Sequence, residues 1–204
     1  MYKFNDSELT SEKSLWDIYK LSRRISSNKF NMSLITFVLI LLSINSFYLE
    51  SDTAVILKNT RDWASQGFNF SITTLGFLIA GFTIFATLSK PRMMLAMMDH
   101  TNPDTGIPTL KYNFFAFMKV FIAYISLAVI YLLVVLLGQK NGFISNVIEL
   151  LPKSNCIKYF LINISYVFIG SSFVYLLLLL KTFVFNIYTI VMNSLRWEYF
   201  TMEK

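Results

Sequence analysis

The chain has 204 residues, 55% of them hydrophobic and 17% aromatic, with only 15% charged, against about one quarter charged in an ordinary soluble domain. One cysteine (Cys156) and one histidine (His100) exclude an intrachain disulfide and leave too few ligands for a structural zinc or two-histidine metal site. The apolar excess makes lipid the expected solvent, and positive-inside asymmetry accounts for the formal charge of +6 without nucleic acid.

Residues 1–31 are polar and charged and read as a cytoplasmic arm, not as a cleavable signal peptide, whose apolar region would lie nearer the start. Within the arm, Leu15, Ile18, Tyr19, Ser22 and Ile25 recur at helical spacing beside Trp16. Lys13, Lys20, Arg23 and Arg24 take the remaining surface. Such a basic amphipathic helix is expected to lie on the anionic cytoplasmic leaflet or to dock a partner.

Apolar runs predict membrane-spanning helices over 32–49, 70–89, 114–137 and 158–181, each near the roughly 20 residues that a bilayer requires. Between the first two, residues 52–65 read as a short outer helix with Asp52 as N-cap and Gly67 as its stop. On the second span, Thr73, Gly76, Ala80, Thr83 and Thr87 recur at intervals of three and four and share one face. Small residues let backbones approach in lipid, so this is the expected helix-packing or oligomer face, with a pore lining as the alternative.

The middle connection opens at Pro91, suited to a first helical turn, and runs through Met93, Met94, Met97 and Met98. Flexible thioethers either pack under the helices or form a docking surface for a cytoplasmic partner. A run of turn formers follows, from Asp99 to Pro108. Lys119 at the start of the third span and Lys181 at the end of the fourth are boundary cations whose stems can snorkel to headgroups. In the third loop, Phe143, Ile144, Val147, Ile148 and Leu151 make an apolar stripe, read as a helix on the outer surface or a re-entrant pore loop. The fourth helix is predicted to continue without Pro or Gly to about residue 196, leaving 197–204 as a short tail. Val184, Ile187, Tyr188, Val191 and Leu195 form the apolar stripe of this extension. Ile187, Val191 and Leu195 join the methionines as candidate partner-docking residues.

The fold class expected is therefore an all-α four-helix membrane bundle over 32–196, with an amphipathic arm and a long fourth helix entering the cytoplasm. Thirteen of the Lys and Arg residues fall in the arm, middle connection and tail, against five in the other two loops, which places both termini inside. No catalytic constellation emerges. Arg92 and His100 lie too far apart for the arginine–histidine motif of small membrane-associated ribonucleases, and Cys156 lies on the opposite side from His100. No cofactor, metal or enzymatic activity is expected.

The run from Thr74 to Pro91 (TLGFLIAGFTIFATLSKP), together with the four-span layout and both termini inside, resembles the membrane subunits of the Kiwa anti-phage system. The resemblance covers those 18 residues and the layout. It implies a homo-oligomeric bacterial inner-membrane sensor, a tetramer by the same resemblance, that works with a soluble, nucleic-acid-binding partner and does not itself bind nucleic acid. It carries over no functional residue. A pore-forming effector that depolarises the cell is the competing expectation.

Overall fold

The computed structural model describes residues 4–25, 28–50, 52–88, 90–139 and 142–202. The predicted end of the second span at Ser89, and Lys3, Lys140 and Lys204 of the charge count, lie outside them. Among the described residues every regular element is helical: α1 (Asp6–Leu9), α2 (Leu15–Ser22), α3 (Lys29–Ile44) with a π turn (Asn45–Leu49), α4 (Thr53–Leu88), α5 (Pro91–Asp99), α6 (Thr109–Leu137), α7 (Phe143–Glu149) and α8 (Ser154–Met202). Four of these, spanning Lys29–Leu49, Thr53–Thr87, Thr109–Leu137 and Ser154–Met202, are long and apolar enough to cross a membrane.

Two elements differ from expectation. The short outer helix and the second span are one 36-residue helix, α4. Asp52 does cap it, its Oδ1 accepting from Ala54 N at 2.8 Å. Gly67, however, sits inside the helix, where a Cβ would stand 2.7 Å from Cε2 of Tyr131. This glycine permits close helix approach and does not end the helix. At the other end of the chain, α8 runs on through Trp197 to Met202, so residues 197–202 of the segment set aside as a tail are helical. Nothing from Trp197 to Met202 breaks a helix, and Arg196 lies over the Phe200 ring one turn on.

The chain forms two compact units, and α4, α6 and α8 each contribute residues to both. The first comprises Met1–Ser26, Leu75–Ala123 and Leu179–Lys204. Its core is aromatic: Phe82 and Phe85 of α4 meet Phe114 and Phe117 of α6, and Phe117 meets Phe183 of α8 at 5.2 Å between ring centres. Aromatic pairs at these separations add about 0.5–1.5 kcal/mol each beyond area burial. Gly81 admits α8, since a Cβ there would lie within 3 Å of both Ile187 and Phe183. The connection from α5 to α6 is tied by Asn102 N to Ile107 O (2.9 Å) and Thr109 N to His100 O (2.8 Å). Gly106 takes the left-handed φ of 68° that this turn requires.

The arm belongs to this unit. Ser14 caps α2, accepting from Asp17 N and donating to Asp17 Oδ2. Ile25 is buried with Ile107 and Phe115, and Ile18, Leu21 and Tyr112 pack around them. Lys111 Nζ reaches Glu12 at 2.7 Å. The inner edge of the amphipathic arm is thus spent on α6, while Leu15 and Trp16 remain exposed, with Lys20 over the Trp16 ring.

The second unit comprises Ser27–Thr74 and Tyr124–Leu178. Trp63 stacks on Tyr166 with ring centres 4.6 Å apart, and Leu42 of α3 and Trp63 of α4 both close on Gly170 of α8. Tyr131 shares a 2.9 Å hydrogen bond with Ser172, and Tyr124 donates to Leu176 O at 2.8 Å. The π turn rotates Asn45 and Ser46 toward α8, where they meet the Tyr166 hydroxyl and Asn163.

Candidate functional site

In the second unit, α4 runs beside the most apolar parts of its neighbours. Trp63 is level with Leu42, well inside the 32–49 run, and with Tyr166 and Gly170, well inside the 158–181 run. Those neighbours turn lipid-like surfaces outward: Phe37, Ile40 and Ile44 on α3, Val129 and Leu136 on α6, Phe160, Ile164 and Phe168 on α8. At the same level α4 turns outward Asp62, Ser65, Gln66, Asn69 and Thr73. Between Asp62 and Thr73, Ile72 is the single exposed apolar side chain.

Asp62, Gln66, Asn69 and Thr73 continue into Gly76, Ala80, Thr83 and Thr87 at alternating intervals of four and three, and all eight are exposed. A repeat of 3.5 residues keeps such a seam facing a partner helix along its whole length. The predicted packing residues Thr73, Gly76, Ala80, Thr83 and Thr87 are all exposed, and nothing among the described residues would lie within 4 Å of a Cβ on Gly76. The face of α4 that the chain does bury carries Ala64, Ser71, Leu78 and Phe85. Sequence reasoning missed Asp62, Gln66 and Asn69. Their spacing with Thr73 was the available signal, hidden because Gly67 was read as a helix stop and the span was begun at Phe70.

The predicted docking residues divide. Met93 and Met98 are buried at 4% and 3% exposure and so are closed to a partner, whereas Met94 and Met97 are half-buried, the Met97 sulfur accepting from Asn113 Nδ2. Ile187 and Val191 are half-buried and Leu195 is exposed. The outward face of α8 is rotated from the predicted stripe, because Phe183 and Ile190 turn inward. Val184, Phe185, Tyr188, Met192, Leu195 and Tyr199 are what it exposes. Lys119, half-buried, donates to the carbonyl of Ile25 at 2.9 Å, so its amine tethers the arm to α6. Lys181 is exposed. Lys90 pairs with Glu198 at 2.5 Å across exposed surface, a contact worth at most about 1 kcal/mol.

No protein-family model, curated protein or solved structure matches the chain.

Proposed function

We propose that this is a non-enzymatic, homo-oligomeric protein of the bacterial cytoplasmic membrane, with both termini inside, acting as a sensor and scaffold in anti-phage defence. The observation that carries the oligomer is the outward polar seam of α4 beside outward apolar faces of α3, α6 and α8. A carboxylate and amides are costly against lipid, and a lipid-depth ionisable group normally faces protein or water. A second copy's α4 supplies both. Small residues further along the seam allow the close approach that such packing uses.

Transmission to a soluble cytoplasmic partner is assigned to the exposed apolar face of α8 around Tyr188, Leu195 and Tyr199, with Met94 and Met97 of α5 as secondary candidates. Cross-linking tests the oligomer directly. In a Cys156→Ser background, Gln66→Cys and Asn69→Cys are expected to give disulfide-linked dimers in native membranes, and Val129→Cys on α6 is not. Equal cross-linking at all three sites, or none at the seam, overturns the assignment.

The same seam supports a second reading, a pore-forming effector. Copies gathered around α4 would place a ring of Asp62 and Asn69 about a central axis, suited to water and cations. Ion flux from liposomes that Asp62→Leu abolishes would select this reading; silence under activating conditions selects the sensor.

A further inference from the structure

Within the second unit, the start of α4, the end of α6, α7 and the start of α8 enclose a cleft of about 650 Å³. Its walls are mainly aliphatic, with Leu57, Val134, Leu137, Ile148 and Ile162 among them. Lys58, Arg61 and Lys158 line it against a single carboxylate, Glu149. Lys158 already holds that carboxylate at 2.6 Å. Arg61 is different: its Nε is buried without any hydrogen-bond partner, and the side chain makes no ion pair among the described residues. A guanidinium presents a planar fork of donors that matches phosphate, and an orphaned buried donor carries the full desolvation penalty. Clefts of roughly 300–1,000 Å³ with aliphatic walls and a few convergent polar groups are the usual form of a small-molecule site.

We infer that this cleft binds an anionic phospholipid, the phosphate meeting Arg61 and Lys58 and an acyl chain lying along Leu57, Val134, Leu137 and Ile162. The chemistry selects that class on two counts. A free anion leaves the aliphatic walls wet, and a zwitterionic or neutral lipid brings no net charge to two uncompensated cations. This rests on the membrane location proposed above and is independent of the oligomer. In that topology the cleft opens toward the outer leaflet.

The test uses the full chain in detergent, delipidated and titrated with short-chain phosphatidylglycerol, the phosphatidylcholine of equal chain length, and inorganic phosphate, read by native mass spectrometry and thermal shift. Saturable phosphatidylglycerol binding is expected, at least tenfold tighter than phosphatidylcholine, with no shift from phosphate alone. Arg61→Gln is expected to weaken phosphatidylglycerol at least tenfold. Should Arg61→Gln fail to give monodisperse protein, Lys58→Gln at the exposed rim carries the same comparison. Ala54→Trp, which narrows the cleft and leaves both cations, should lose the lipid as well. Equal binding of the two lipids, phosphate as effective as lipid, or full affinity in the cation variants would each overturn the inference. Seam cross-linking measured on the same variants separates this failure from failure of the oligomer.

Discussion

Gly67 and Tyr131 show how one missing side chain sets a helix pair. The Tyr131 ring is fully buried and its hydroxyl is held 2.9 Å from Ser172, so it cannot retreat from an added methyl group. Overpacking of this kind costs about 1–3 kcal/mol, more than the ~1 kcal/mol that alanine gains over glycine in a helix. Gly67→Ala is therefore expected to lower the melting temperature in detergent by a few degrees, while Gly76→Ala, with nothing of its own chain within 4 Å, leaves that of dissociated monomer level or higher. Identical shifts would mean that α4 and α6 do not meet at this point. A second residue-scale prediction concerns the arm. Burial by itself raises the Glu12 carboxyl, but hydrogen bonds from Lys111 and Ser11 and the Lys111 charge outweigh it and hold the group below its ordinary value. A carboxylate depressed in the folded state contributes stability above its unfolded value and loses it as pH falls through the folded one. Amide exchange across α2, corrected for intrinsic rates, should accelerate as pH falls below the ordinary carboxylate range, and Glu12→Gln should remove that dependence. An unchanged profile in the variant would show that the ion pair does not hold the arm.

At the scale of elements, the four long helices were legible because uncharged runs near bilayer length leave few alternatives. Their boundaries were less legible, for a physical reason. Hydropathy averages over all faces of a helix, so Lys58, Arg61 and Asp62 set residues 52–65 apart as a separate outer helix, although α4 directs them to a cleft, a seam and exposed surface while Ile56, Ala64 and Leu78 face inward. Gly67 was misread because a glycine at a helix end and one at a close crossing look alike in sequence, and only the partner ring distinguishes them. The methionines of α5 posed the same difficulty: their spacing did not reveal that Met93 and Met98 turn inward. The arm's amphipathic pattern was readable, but the choice between membrane and protein depended on Ile107, Phe115 and Lys111, about a hundred residues away in sequence. The continuity of α4 has a sharp consequence. Proline at position 65 would be harmless in a connecting segment, yet in a helix interior it costs about 3 kcal/mol or more. Ser65→Pro is expected to abolish recovery of folded protein from membranes, whereas Ser65→Ala is recovered normally. Good recovery of the proline variant would restore a break between the two parts of α4.

For the whole molecule, orientation is decided by charge that never enters the bilayer. With α4 starting at Thr53 and α8 at Ser154, Lys58, Arg61 and Lys158 of the five counted outside lie on the helices themselves and line a cleft there. The arm, middle connection and final segment still carry thirteen. The longer helix leaves the sequence count of thirteen against five as it was. The chain's single thiol reports on this without any fusion. Cys156 is exposed and lies near the start of α8, on the side that the charge bias assigns to the outside. In spheroplasts, a membrane-impermeant maleimide should label wild-type protein before lysis and should leave Cys156→Ser unlabelled. A cysteine placed at exposed Ser11, beyond the inner face, should react only after the cells are opened. Labelling in the reverse order would turn the protein over in the membrane, moving the cleft to the cytoplasmic leaflet and the apolar face of α8 away from any cytoplasmic partner.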